Sequence, residues 1–170
     1  MLYGILSWLC VAVLAGIDQL IKGWATAELL PVGSMPLIPK VIELRYVLND
    51  GMAFSMLSGQ RWLLIAVTGV VLVAVMGMLL VRRMSRLERV AWVLVAGGGI
   101  GNLIDRVLNG VVVDYFNLLF MRFAVFNFAD VCVCVGVGLL ILTLLVELYQ
   151  EGKSGKKPDA APSEQNDAEA

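Results

Sequence analysis

Eight polar residues stand in or between apolar stretches of this chain: Asp18, Lys22, Asn102, Asp105, Arg106, Asp114, Asn127 and Asp130. A charged group inside a membrane span costs about 2.5–3.5 kcal/mol even on the lenient insertion scale, so each is a candidate for chemistry. Asp18 and Lys22 are four apart and can neutralise each other on one helix face, either as a local anchor or as part of a site. Asn102 and Arg106 share that spacing, with Asp105 beside Arg106; a snorkelling arginine competes there with a functional role. Asp114 and Asp130 have no basic neighbour within four residues. Two carboxylates held close cannot both ionise. One then activates water while the other protonates a carbonyl or a leaving amine. Spacing leaves open whether the two meet, since Asp130 can instead cap the stretch it begins.

Other chemistries find few ligands. The chain has no histidine, which excludes a His-Glu-x-x-His metallopeptidase, and its three cysteines (Cys10, Cys132, Cys134) lie in apolar runs. Cys132 and Cys134 point in different directions on a helix and are read as small buried hydrophobes, with no disulfide framework. No metal and no cofactor is expected. Gly97-Gly98-Gly99-Ile100-Gly101 lacks the preceding strand and the following Gly-Lys-Ser/Thr of a phosphate loop, and is read as a place where another helix approaches closely. No basic stripe suggests nucleic acid.

The elements that must position these groups are written in the composition. The 170 residues are 59% hydrophobic and 16% charged, with a mean hydropathy of +0.84. Soluble domains have roughly 45–50% apolar and 25% charged residues, so the chain is read as an integral membrane protein. Four stretches are long enough to cross a bilayer, at about residues 2–25, 62–81, 90–107 and 126–147. The first lacks a basic leader and carries Asp18 and Lys22 where a cleavage site would belong, so it is expected to be a retained helix. Arg82, Arg83, Arg86 and Arg89 between the second and third spans, and Lys153, Lys156 and Lys157 after the fourth, place both termini in the cytoplasm. Segments 26–61 and 108–125 then lie outside. The net charge of −1 belongs to the tail, because the first 150 residues hold nine acids against ten bases. The stretch 151–170 is expected to be a disordered cytoplasmic extension.

From Val41 to Leu48 the chain alternates, with Ile42, Leu44, Tyr46 and Leu48 on one face, and Asn49-Asp50-Gly51 supplies turn residues. A small sheet at the outer membrane surface is expected. The expected fold is thus mainly α: four transmembrane helices with a small extracytoplasmic β-sheet. All the buried polar residues fall at the outer ends of the spans. That depth argues against the main alternative, a small four-helix transporter, whose acids would sit near mid-membrane between short loops.

Five pieces in order resemble the lipoprotein signal peptidases, the bacterial type II signal peptidase family: Asp18-Gln-Leu-Ile-Lys22; Asn49-Asp-Gly51-Met-Ala-Phe-Ser55; Gly98-Gly-Ile-Gly-Asn102-Leu-Ile-Asp105-Arg106; Val113-Asp114-Tyr115; and Phe126-Asn127-Phe-Ala-Asp130. The match runs from about residue 10 to 147. The resemblance implies an aspartic endopeptidase of the bacterial cytoplasmic membrane, working at the outer leaflet; separately, a monomer is expected. Its substrates would be prolipoproteins whose cysteine carries diacylglycerol, cut just before that cysteine among membrane lipid. It implies Asp114 and Asp130 as catalytic residues, and Asn49, Gly51, Asn102, Arg106 and Asn127 as residues lining or supporting the site. Asp18 and Lys22 would be a polar pair beneath it. It further implies a cradle built from the sheet and a short flap over residues 115–125. Met52 departs from the family's usual alanine, with consequences for substrate preference, and Tyr115 stands where phenylalanine is common.

Overall fold

The computed structural model describes residues 2–51 and 56–154, so Met52 lies outside the described residues. In chain order it contains α1 (Leu2–Val32), β1 (Ser34–Ile38), β2 (Ile42–Asn49), α2 (Arg61–Val81), α3 (Arg86–Leu108), β3 (Val112–Leu118) and α4 (Phe128–Ser154). All four helices are long and apolar enough to cross a membrane. α3 is central and packs against the other three helices. Val11, Leu72, Val75, Leu79, Val93 and Ala96 close the core between α1, α2 and α3. The outward faces carry large exposed hydrophobics such as Leu20, Val73 and Val81, as a bilayer-facing surface requires. Four passes bring both ends of the described chain to the end of the bundle away from the sheet.

Helix limits differ from expectation for physical reasons. α1 runs to Val32, seven residues past the expected end at 25. Ala25 and Leu29 are fully buried against Leu44, Val113 and Tyr115, so the helix continues to carry the sheet. Ser85 caps α3, accepting the Glu88 N–H at 3.1 Å, and this draws Arg86 and Arg89 out of the expected loop into the helix. α4 continues to Ser154, so the first four residues of the expected disordered tail are helical.

The sheet is antiparallel in the order β1-β2-β3. Between β2 and β3 the register shifts once: Leu44 pairs with Phe116, but Val47 pairs with Asp114 and Asn49 with Val112. One extra residue on β2 is absorbed there, and such a bulge exchanges the faces of everything beyond it. The expected alternation through Leu48 therefore fails, and Leu48 is 54% exposed. Unbroken pairing would have set Tyr46 opposite Asp114; the bulge sets Val47 there and brings Asn49 to the same face as Asp114. The stretch expected as a flap also divides. Residues 115–118 belong to β3, and the remainder returns to Phe126, which exchanges backbone hydrogen bonds with Phe116 at 2.7 and 3.1 Å.

Candidate active site

Asp114 comes from β3 and Asp130 from the first turn of α4, and Asn127 joins them. Its side-chain Nδ2 donates to Asp114 Oδ1 at 2.7 Å, and its backbone N–H donates to Asp130 Oδ2 at 3.1 Å. The Asp130 N–H donates back to Asn127 Oδ1 at 3.0 Å. Asn127 and Asp130 are thus the reciprocal N-cap and N3 partners of a capping box on α4. The two readings of Asp130 open at the sequence level are both realised. It caps its helix with one oxygen while the carboxylate stands beside Asp114.

Each carboxylate has a second amide donor. Asn49 Nδ2 reaches Asp114 Oδ2 at 2.9 Å, and Asn102 Nδ2 reaches Asp130 Oδ1 at 2.8 Å. Neither amide is free to turn. The Gly51 N–H donates to Asn49 Oδ1 at 2.9 Å. Asn102 Oδ1 accepts from Lys22 Nζ at 2.8 Å and from Asn127 Nδ2 at 3.1 Å. Arg106 Nη2 donates to the Gly51 carbonyl at 2.7 Å and so fixes the turn that holds Asn49. Its Nε is buried without a hydrogen-bond partner among the described residues.

Lys22 lies beneath, 3% exposed, between Asp18 at 2.8 Å and Asp105 at 2.9 Å. Its three N–H donors meet those two acids and Asn102. Asp18 Oδ1 also accepts the Ala129 N–H at 3.1 Å, at the N-terminus of α4, where a negative charge is favourable. Asp105 Oδ2 accepts the Val113 N–H at 3.2 Å, immediately before Asp114. Asp105, adjacent to Arg106 in the chain, forms its ion pair with Lys22. Gly98 and Gly101 allow this assembly to close. A Cβ at Gly98 would strike the Ala129 carbonyl, and one at Gly101 would strike the Asp18 carboxylate.

Three participants escaped sequence reading. Gln19 Nε2 donates to Asp105 Oδ1 at 3.0 Å and to the Gly101 carbonyl at 3.1 Å; its place inside the Asp18–Lys22 motif was the available signal. Tyr115 is buried, and its hydroxyl accepts the Phe128 N–H at 3.0 Å. Arg61 closes the end of α3 through the carbonyls of Arg106 and Val107, both at 2.8 Å. Tyr115 was marked only by its place beside Asp114 and by standing where phenylalanine is common, and nothing local marked Arg61.

The electrostatics of β3 follow from burial. Asp114, 2% exposed, is raised to about 6, chiefly by burial and further by the Asp130 carboxylate, against the hydrogen bonds of Asn49 and Asn127. Burial also pushes the Tyr115 hydroxyl up, so it stays protonated. A cavity of about 600 Å³ opens from Asp114, bounded by the end of β2, the 49–50 turn and residues 121–125. No cluster of potential metal ligands occurs among the described residues.

Comparison with known proteins identifies relatives of the whole chain. The model of the signal peptidase (SPase) II family matches residues 10–146. The chain is 37% identical over 150 residues to a lipoprotein signal peptidase of Desulfitobacterium hafniense (strain DSM 10664 / DCB-2), spanning 88% of this chain and 99% of that one. It is 39% identical over 146 residues to that of Clostridioides difficile (strain 630), spanning 86% and 97%. A bacterial membrane enzyme solved by the in meso method at 2.3 Å resolution superposes with a TM-score of 0.76 at 31% identity, covering 91% of this chain and 93% of that one. A second, solved at 1.9 Å, gives 0.72 at 32% identity, covering 82% and 92%.

Proposed function

The chain belongs to the signal peptidase II family, the lipoprotein signal peptidases, and from that premise we propose that it is an aspartic endopeptidase using Asp114 and Asp130. It removes the signal peptide from diacylglyceryl-modified prolipoproteins by cutting just before the lipidated cysteine. The observation that carries this reading is the pair of carboxylates, delivered by separate elements, bridged by Asn127 and each held by its own asparagine.

The pair shares one proton. Burial raises Asp114 to about 6, so it is assigned the acid's role, and the protonated fraction of the free site falls as pH rises above that value. Asp130 takes a proton from water as the water oxygen attacks the scissile carbonyl, and Asp114 protonates the carbonyl oxygen, giving a gem-diol. Asp130 then passes its proton to the leaving amine. The C–N bond breaks, and Asp114 recovers a proton from the collapsing diol, so the site returns to its starting state. Asn49, Asn102 and Asn127 hold the carboxylates in register throughout, and Arg106 holds Asn49 through Gly51. Held on rigid elements, the pair meets substrate without reorganising.

The placement fits the substrate. A lipidated peptide stays in the bilayer, so its scissile bond must be met where acyl chains end and water begins. The arginine-rich connection and Lys153 mark the opposite end of the bundle as cytoplasmic by the positive-inside rule. The sheet and dyad then lie at the outer face of the bacterial cytoplasmic membrane. Residues 1–150 are read as one peptidase domain, since helices α1, α3 and α4 and strands β2 and β3 all contribute groups to the site. The same placement, with family membership, favours the peptidase over a four-helix transporter.

The experiment is cleavage of a diacylglyceryl-modified prolipoprotein by reconstituted protein, followed as the shortened product on a gel. Asp114→Asn and Asp130→Asn each abolish product while the protein still folds; appreciable turnover by either variant overturns the dyad.

A further inference from the structure

Nearly every polar group around the dyad is already engaged. Asn49, Asn102 and Asn127 are bonded to the carboxylates. Lys22 is bonded to two acids and an amide. Asn117 donates to Glu43 at 2.7 Å, and Ser58 donates to Asp50 at 2.6 Å. Arg122 is the exception in the cavity wall. It is exposed and lines the same 600 Å³ space as Asp114 and Asn49. Among the described residues no hydrogen bond, ion pair or ring contact involves it, unlike Asn49, Asp50, Asp114 and Asn117, the other polar residues of the same wall. An arginine holds five N–H donors in a fixed planar fork suited to a carboxylate.

The cavity and its free guanidinium need an occupant. The signal segment and the acyl chains belong among the apolar helix faces. The mostly apolar groove lined by Val11, Ala15, Met76 and Ile100, on the helical body, is of that kind and is separate from the Arg122 cavity. What remains of a membrane-held substrate at the scissile bond is the polypeptide that follows the modified cysteine, which must leave toward water. The wall of the Arg122 cavity matches such a segment, with strand and turn residues of the sheet on one side and the 121–125 loop on the other.

Resting on the peptidase reading above, we propose that this cavity binds the first residues of the mature lipoprotein, and that Arg122 is a specificity-determining residue that favours an acidic side chain among them. Asp50 lines the same cavity and keeps its negative charge while one oxygen accepts from Ser58. It offsets part of the attraction, so the preference is confined to a side chain that reaches the Arg122 guanidinium itself. One solvent-facing ion pair sets the scale of the preference at about threefold in kcat/KM.

The test uses the full chain in detergent or nanodiscs with synthetic diacylglyceryl-modified substrates. They carry Asp, Asn or Lys at the second, third or fourth position, counting the modified cysteine as the first. The Asp-to-Lys ratio of kcat/KM is the readout, because any general loss of activity cancels from it. The native chain prefers Asp about threefold at one or more of these positions. Arg122→Gln brings that ratio near one, and Arg122→Glu inverts it. A ratio equal in the native chain and both variants at every position overturns the proposal, as does a native preference for Lys that Arg122→Glu leaves in place. Absence of any cleavage by the native chain counts instead against the peptidase reading.

Discussion

A carboxyl held at about 6 inside a protein is a burden at neutral pH. Asp114 pays no such penalty below its ordinary value of 3.8, where it is protonated both folded and unfolded. As pH rises from about 4 to about 6 the unfolded chain ionises readily and the folded chain does not, so this residue's contribution to stability falls and then stays low. Asp114→Asn should therefore stabilise the fold above pH 6 and confer little below pH 4. The shift corresponds to about 3 kcal/mol. One of the two amide bonds to the carboxylate becomes a donor facing a donor, which leaves a gain of about 2 kcal/mol. Thermal unfolding in detergent at pH 4 and pH 7.5 measures it, and a variant less stable than the native chain at pH 7.5 contradicts the burial argument. Loss of cleavage with a gain in stability is the signature of a residue retained for chemistry. At this scale the sequence exposed the unpaired acids, because buried charge is costly wherever it occurs. It did not reveal Gln19 or the true partner of Asp105, because a residue's nearest neighbour in the chain need not face it.

Among the elements, α3 and α4 do most of the positioning, and their closeness depends on glycine. A methyl group on Gly98 meets the Ala129 carbonyl, one residue from Asp130, and backbone cannot yield as a side-chain end can. Gly98→Ala should push the N-terminus of α4 away from α3 and lengthen the Asn102–Asp130 hydrogen bond. It should cost about 1–3 kcal/mol of stability and a larger share of activity. Unfolding midpoint and kcat of the same preparation test this together; unchanged kcat shows that the helix spacing does not set the site. The glycine run announced close packing from sequence alone, without saying against what. The β2 bulge was not legible. Alternating hydrophobicity continues through Leu48 as if no residue were inserted, and the shift exists only in the pairing with β3.

For the whole molecule, the arginine-rich end and the sheet end are opposite faces of one bundle. A cysteine placed at Lys40, in the turn between β1 and β2, should react with a membrane-impermeant maleimide in intact cells, whereas one placed at Arg83 should react only after the membrane is opened. The reverse pattern overturns the orientation. Truncation after Ser154 should leave cleavage intact, because every group of the site lies within α1 to α4; a truncated chain that folds but does not cleave contradicts this. Composition alone determined the solvent, since 59% hydrophobic residues in four long runs have nowhere else to be buried. The sequence also determined which residues were exceptional, because insertion free energy depends on residue type and depth rather than on partners. Only the tertiary structure decided how they combine: Lys22 between Asp18 and Asp105, Asn127 bridging Asp114 to Asp130, and Asn49 turned toward Asp114 by a bulge. Those contacts join residues far apart in the chain, and their geometry is set by helix spacing and strand register, which no local pattern of residue types encodes.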